Sequence, residues 1–264
     1  MHEIGRVHIQ VEGEHVTAAG VSDIGLLRNE NQDSIYLDKN GRFILLADGM
    51  GGHERGAEAS RTIINVLQDF FQPERIEREL VDITAVEGIP VEVSTLFSLI
   101  DKGIRKSNNV VYEKNRAEGV EKYMGSTLVG VLFSKEQCVT WFHVGDSRLY
   151  RWRDTTLTQL TEDHSAHAVW VNKGCKGEEP GRNLVTRAIG PREGVIPDMN
   201  WEKGKEGDIY ILCSDGLNDM VGDDEISDIV KNSDSVNNIT ANLLDAALDA
   251  GGNDNISIVV CELQ

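Results

Sequence analysis

The chain has 264 residues, enough for one large domain or two small ones. Its 26 Lys and Arg residues against 44 Asp and Glu residues give a formal net charge of −18, which argues against broad electrostatic binding to nucleic acid or to an anionic membrane. No apolar run in the sequence approaches the roughly 18 residues of a membrane-spanning helix, and the N-terminal segment contains no apolar signal core. We therefore expect a cytoplasmic protein.

Strand patterns dominate both ends and the middle of the chain. Val7, Ile9 and Val11 alternate with polar residues, which is the period of a half-buried strand. Further strands are predicted over 15–21, 34–38, 42–47, 127–134, 138–144, 147–153, 195–201, 208–214 and 256–262.

Helical spacing of apolar residues predicts helices over 56–71, 92–113 and 236–250, and a weaker helix over 223–230. The polar, glycine-containing segment 163–183 predicts an irregular surface loop or flap. Strands in adjacent pairs, with helices between blocks of strands, favour antiparallel sheets covered by helices over a doubly wound parallel sheet.

Four cysteines are spread along the chain and form no CxxC pair. Three of them stand in apolar, strand-like runs. This pattern predicts reduced cysteines, and neither a disulfide set nor a zinc site. The four are Cys138, Cys175, Cys213 and Cys261.

Four aspartates stand where apolar runs end or begin. Asp48 and Asp215 each follow such a run and precede a glycine, Asp146 follows the run 139–144, and Asp254 comes just before the last run. Strand ends that share an edge would gather these carboxylates, and their mutual repulsion would favour a divalent cation, Mg²⁺ or Mn²⁺ for a set of oxygen ligands. Ordinary Asp-Gly turn chemistry is the alternative for each pair taken singly. Spacing alone leaves both interpretations open.

Eight short motifs follow one another along nearly the whole chain. They are 28–33 (RNENQD), 48–53 (DGMGGH), 124–130 (MGSTLVG), 144–148 (VGDSR), 160–164 (LTEDH), 184–190 (LVTRAIG), 213–217 (CSDGL) and 252–256 (GNDNI). In this order they resemble the metal-dependent protein serine/threonine phosphatases of type 2C, the PPM family, and the DGMGGH form is similar to the bacterial branch.

The resemblance implies an α+β fold, a β-sandwich of two antiparallel sheets with helices on both outer faces. This agrees with the predicted elements. We expect a single phosphatase domain over 1–264, with an N-terminal extension at 1–16 and a flap at about 163–183.

The resemblance also implies a centre for Mn²⁺ or Mg²⁺, with two core ions and, as in bacterial members, a third, weaker one. Asp48 would bridge the two core ions, and the Gly49 carbonyl would bind one of them. Asp215 and Asp254 would complete the shell of the first ion. Asp146, together with Asp215, would hold the third ion.

Three further residues acquire roles from the resemblance. Asp33 would bind through metal-coordinated water, with a capped turn as the alternative. Arg28 would grip the substrate phosphate, because its planar guanidinium meets two phosphate oxygens at once; the alternative is a solvated surface arginine. His53 would assist proton transfer.

Two positions depart from the family pattern. Gln32 stands where many members have a glutamate that binds the second metal, so that ion would be held more by water. Met50 stands where other members have a histidine proposed as the general acid, so the leaving-group proton would come from water or from another side chain.

These features predict hydrolysis of phosphoserine and phosphothreonine in proteins by a metal-activated water, in opposition to a serine/threonine kinase. The expected partners are phosphorylated proteins, a serine/threonine kinase among them, and neither nucleic acid nor a membrane. The expected oligomeric state is a monomer. Two alternatives stay open. One is a catalytically silent module that binds phosphoproteins, and the other is a phosphoesterase for small molecules.

Overall fold

Two antiparallel six-stranded sheets lie at the centre of the fold. The computed structural model describes residues 6–51, 55–72, 75, 76, 78, 88–119, 123–134 and 137–264. The first sheet has the order β1-β2-β12-β11-β8-β9, and the second has the order β10-β7-β6-β4-β3, with the short β5 paired to β4. The strands are β1 Val7–Glu12, β2 Val16–Asp23, β3 Asp33–Leu37, β4 Phe43–Met50, β5 Gly125–Ser126, β6 Leu128–Phe133, β7 Cys138–Val144, β8 Arg148–Arg153, β9 Thr156–Gln159, β10 Asp198–Lys203, β11 Ile209–Cys213 and β12 Ile256–Leu263.

Helices cover the outer face of each sheet. Two long helices pack on the second sheet, and three helices pack on the first. In chain order the helices are α1 Arg55–Phe70, α2 Val91–Glu118, α3 Ala166–Asn172, α4 Asp215–Asn218, α5 Asp223–Asn232 and α6 Val236–Asp249. The predicted fold, a sandwich of two antiparallel sheets flanked by helices, is confirmed.

The period of two along the strands divides the interior into three apolar layers. In β11, Tyr210 and Leu212 face the layer between the sheets, whereas Ile211 and Cys213 face the helices outside. Both faces of the central strands are therefore buried, which explains why their sequences are nearly continuous apolar runs. On the other side of the sandwich, α1 contributes Leu67 to the layer that it forms with α2 and the second sheet.

The elements that the sequence pattern missed are short or lack an apolar stripe. Strand β9 is polar and only half buried. Helix α3 lies inside the segment 163–183, which was expected to be irregular, and none of its residues is buried. It begins where Ser165 Oγ accepts a 3.1 Å hydrogen bond from the backbone N–H of Ala168, so a cap rather than core packing marks its start.

The N-terminal segment contributes a strand to the sandwich. Residues Val7–Glu12 pair with β2 along their whole length and form the edge of the first sheet. The four cysteines are free, and Cys175 is the exposed one. In the part of the chain that the structure describes, we find no helix with the length and apolar character needed to span a bilayer.

Candidate active site

One cleft of about 680 Å³ brings together residues from seven separate chain segments. Asp48 stands near the end of β4, Asp146 in the turn between β7 and β8, Asp215 at the start of α4, and Asp254 just before β12. Arg28 comes from the loop between β2 and β3. The fold thus gathers the four aspartates singled out in the sequence and the arginine expected to bind phosphate.

The charges of neighbouring carboxylates act on one another in this cleft. Burial and the charges of Asp33 and Asp215 raise the pKa of Asp48 well above its usual range. Burial and the charges of Asp146 and Asp254 do the same to the pKa of Asp215. The buried Oδ1 of Asp215 has no hydrogen-bond partner among the described residues.

Asp33 lies behind the cleft, where it is the antiparallel partner of Asp48 across β3 and β4. Its Oδ2 accepts a 2.8 Å hydrogen bond from Ser214 Oγ. Its buried Oδ1, by contrast, has no hydrogen-bond partner within the described ranges. Burial raises the pKa of Asp33 to about 7, and hydrogen bonds from Ser257 and Ser214 oppose this rise.

Asp146 is held by a tight turn between two strands. The preceding residue, Gly145, has a φ of 107°, and a Cβ there would lie 2.6 Å from the side chain of Thr127, so the turn requires glycine. His164 fixes the same turn, because its Nδ1 accepts from the Gly145 N–H at 3.0 Å and its own N–H donates to the Gly145 carbonyl at 2.9 Å. Burial raises the pKa of Asp146 to about 6.

Thr127 connects Asp48 to the turn that carries Asp146. Its Oγ1 accepts a 3.1 Å hydrogen bond from the Asp48 N–H, and its own N–H donates to the Asp48 carbonyl at 2.9 Å. The same Oγ1 lies 2.7 Å from Ser147 Oγ. Two parts of the aspartate cluster that are far apart in sequence therefore share one buried hydroxyl.

The loop that carries Arg28 is clamped by a side chain next to Asp254. Asn255 donates from Nδ2 to the carbonyl oxygens of Ile24 at 3.0 Å and Glu30 at 2.9 Å, and its Oδ1 accepts from the Gln32 N–H at 2.8 Å. The loop is thereby fixed at both ends. Arg28 Nη2 donates to Asp254 Oδ2 at 2.6 Å, and this bond raises the pKa of Arg28 above its ordinary value.

The remaining predicted site residues either line the cleft or lie outside the described ranges. A Cβ at Gly49 would lie 2.1 Å from the carbonyl oxygen of Gly56 and 2.6 Å from that of Gln32, so only glycine fits this close approach. Gln32 and Met50 line the cleft at the positions where the family pattern has a carboxylate and a histidine. His53 lies outside the described residues.

A second group of potential ligands, His143, His164 and Asp198, lies on the far side of the Asp146 turn, with ligand atoms within 4.8 Å of one another. Because His164 Nδ1 accepts the Gly145 N–H, its proton is on Nε2, which donates to Asp198 Oδ2 at 3.2 Å. His143 Nε2 lies 2.8 Å from the Glu162 carbonyl, to which it donates. Burial lowers the pKa of both histidines. These hydrogen bonds engage all three side chains, so we assign the group a structural role rather than metal binding.

The aspartate cluster suits a divalent cation. Its donors are carboxylate oxygens, which Mg²⁺ and Mn²⁺ prefer. Asp33 and Asp215 each keep a buried oxygen without a partner among the described residues, and the charges that raise the pKa of Asp48 and Asp215 are those that a cation would neutralise.

Comparison with known sequences decides the family. A family model described as "Protein phosphatase 2C" matches residues 28–255, which is most of the chain. This chain belongs to the protein phosphatase 2C family. The resemblance on which the sequence analysis rested is thereby confirmed.

Bacterial members of the protein phosphatase 2C family are similar to this chain along most of its length. It is 33% identical over 250 residues to the serine/threonine protein phosphatase PstP of Mycobacterium tuberculosis, and the match covers 93% of this chain but 44% of PstP. The chain thus spans less than half of that relative. It is 32% identical over 249 residues to the serine/threonine phosphatase stp of Listeria welshimeri, and here the match covers 91% of this chain and 93% of stp.

Solved structures of family members agree with the fold. The crystal structure of the M. tuberculosis serine/threonine phosphatase PstP/Ppp has a TM-score of 0.81 at 33% identity, covering 95% of this chain and 99% of that one. The catalytic domain of PstP in complex with two manganese ions has a TM-score of 0.78 at 32% identity, covering 94% and 98%.

The sequence analysis did not identify three residues that support the aspartate cluster of this protein phosphatase 2C family member. Thr127, Ser214 and Asn255 are neutral, so no charge pattern singles them out. Each nevertheless stands within one of the eight motifs. Ser214 comes directly before an aspartate, Asn255 directly after one, and Thr127 within a glycine-containing motif. That position in the motifs is the signal that would have found them.

Proposed function

We propose that this chain hydrolyses phosphate monoesters on serine and threonine residues of proteins. The observation that carries the proposal is the convergence of Arg28 with Asp48, Asp146, Asp215 and Asp254 in one open cleft. A cluster of carboxylates without cations would repel an anionic phosphate. The same cluster loaded with cations would attract it.

The carboxylates would hold Mn²⁺ or Mg²⁺ as the family resemblance implies: Asp48 between two ions, the Gly49 carbonyl on one of them, Asp215 and Asp254 on the first, and Asp33 through water. When bound, such ions supply a water that is deprotonated near neutral pH and neutralise charge on the phosphoryl oxygens. The PstP catalytic domain, solved in complex with two manganese ions, supports a centre that takes two such ions.

The protein itself would position the charged side chains of the cleft before the substrate binds. Arg28 would exchange its contact with Asp254 for two phosphate oxygens, since a guanidinium binds phosphate in a bidentate manner. Thr127 and Asn255 hold Asp48 and the Arg28 loop in place through the bonds described above. The thioether of Met50 has no proton to give, so the leaving oxygen would take its proton from water or from another side chain.

We also propose that the chain is one catalytic unit with a flap at about 163–183, that it is a monomer in the cytoplasm, and that a serine/threonine kinase supplies its phosphorylated partners. Four free cysteines are typical of a reducing compartment. Relatives named serine/threonine phosphatases support the phosphoprotein substrates.

The decisive experiment measures phosphate release from a phosphoserine and a phosphothreonine peptide, with Mn²⁺ and after exhaustive chelation. We expect release that requires the metal and is lost in Asp48→Asn. Asp245→Asn, an exposed change on α6 with the same loss of charge, is the matched control and should behave as wild type. Binding of the peptides without turnover would favour a silent module, and faster hydrolysis of nucleotides than of peptides would favour a small-molecule phosphoesterase.

A further inference from the structure

A second groove, of about 450 Å³, adjoins the cleft. Met50 and Val185 line both cavities, so the two are continuous. The far wall of the groove is the segment 191–196. Here Val195 is buried, whereas Ile196 is 73% exposed. A chain whose phosphorylated residue occupied the cleft would have this groove beside it.

The backbone of that wall is fixed by a buried side chain of α2. Asn108 is 1% exposed. Its Nδ2 donates to the carbonyl oxygens of Arg192 and Glu193, both at 3.0 Å, and its Oδ1 accepts from the Gly190 N–H at 2.8 Å. The wall therefore exists before any ligand binds, and a contact made by it would not have to offset the ordering of a loop.

The groove contains one pair of oppositely charged side chains and one arginine without such a partner among the described residues. Arg187 Nη1 lies 2.5 Å from Asp198 Oδ1 and also donates to the Ile196 carbonyl at 3.2 Å, so these two charged groups compensate each other. The exposed side chain of Arg192 forms neither a hydrogen bond nor an ion pair within the described part of the chain. In a protein with a net charge of −18, this leaves an uncompensated cation in the groove beside the cleft.

We propose that this groove binds the residues that flank the phosphorylated side chain, and that Arg192 makes the enzyme prefer substrates with an acidic residue there. Ile196 would contact an apolar side chain of the same segment. This inference rests on the proposed function, because it names the class of phosphoprotein that the cleft receives. An acidic flank is otherwise repelled by the overall charge of the protein, so its preference must come from a local cation.

The test compares kcat/KM for phosphopeptides that differ only in the flanking residues: acidic, neutral or basic, placed before or after the phosphoserine in separate peptides. Each value is divided by kcat/KM for p-nitrophenyl phosphate, which has no flank. We expect the wild type to favour an acidic flank over a neutral one by roughly 1.5-fold to fivefold, the range of an exposed ion pair. The preference should weaken at high salt, since exposed charges are screened.

Arg192→Ala should abolish that preference, and Arg192→Glu should reverse it in favour of the basic flank. Lys231→Ala removes an exposed cation of α5 that lines neither cavity, and it should keep the wild-type preference. A preference that persists in both Arg192 variants, or a wild type that treats all flanks alike while hydrolysing them, would overturn this inference and leave the proposed function standing. Failure to hydrolyse any phosphopeptide, with or without Mn²⁺, would instead overturn both.

Discussion

The guanidinium of Arg28 and the carboxylate of Asp254 form an ion pair across 226 residues of sequence, with Nη2 2.6 Å from Oδ2. Both side chains are more than one-third exposed. Solvent therefore screens the pair, and it contributes at most about 1 kcal/mol to stability. Because the pair is weak, Arg28 can leave Asp254 at a small cost in free energy when a phosphate enters the cleft.

Replacing Arg28 should separate phosphate binding from metal binding. Arg28→Ala should raise KM for a phosphopeptide by roughly 10–100-fold, the scale of a charge-assisted hydrogen bond of about 1.5–3 kcal/mol. Arg28→Lys should recover part of the loss, since an ammonium cannot make the two-pronged contact. Steady-state kinetics on one phosphopeptide with the three proteins measures both effects.

Calorimetric titration with Mn²⁺ gives the control for that experiment. Because Arg28→Ala frees Asp254 from its ion pair, the variant should bind Mn²⁺ at least as tightly as the wild type. Unchanged kinetic constants would assign Arg28 to the solvated surface. A large loss of metal affinity would place it in the metal centre instead.

Removing single charges from the cluster should stop turnover without unfolding the protein. Asp48→Asn, Asp215→Asn and Asp254→Asn should each lower kcat by at least about 10²-fold at saturating Mn²⁺, which is the scale of losing one strong electrostatic stabiliser. Melting curves recorded without metal check the fold. Near-normal turnover in Asp254→Asn would remove that residue from the centre.

Asp146→Ala should have a narrower effect than the changes in the central cluster. Asp146 is held by the Gly145 turn and His164 rather than by Asp48 itself, so the variant should keep the two core ions and turn over phosphopeptides more slowly. Counting bound Mn²⁺ by calorimetry tests this. Loss of every bound ion would show that Asp146 belongs to the central pair.

The raised carboxylate pKa values predict how the stability of the metal-free protein depends on pH. An acid whose folded pKa is raised binds its proton more tightly when folded, so its contribution is full below the unfolded pKa and is lost as pH rises through the folded pKa. For Asp33 this window runs from 3.8 to about 7, and for Asp146 it runs from 3.8 to about 6. The melting temperature without metal should therefore fall as the pH rises from about 4 to about 7, the window set by these two carboxylates.

Asp33→Asn provides the matched comparison, since it removes the titrating group and keeps an oxygen that can accept from Ser214. Its melting temperature should fall less over the same pH range, with a difference on the order of 2–4 kcal/mol in unfolding free energy at the upper end. Mn²⁺ should stabilise the wild type most at high pH, where the carboxylates are ionised. Parallel pH profiles for wild type and variant would show that other groups cause the decline.

Local pattern alone identified most of the elements that build the sandwich. The runs 42–47, 208–214 and 256–262 predict β4, β11 and β12 to within two residues at each end, or three where β4 continues into Asp48–Met50. Their burial on both faces leaves an unbroken apolar signal. The aspartates beside these runs could be identified from the sequence as well, because a charged residue at the boundary of an apolar run interrupts the pattern.

Only the tertiary structure decided which of those side chains meet, and what holds them. The Arg28–Asp254 pair and the clamp of Asn255 on Glu30 each join segments more than 220 residues apart, and Asn108 fixes the groove wall from a helix more than 80 residues away. Neutral hydrogen-bonding side chains carry no periodicity and no charge signature. Their roles depend on which strands pair and which loops those strands bring to one end of the sandwich, and that is settled by long-range packing rather than by any local run of residues.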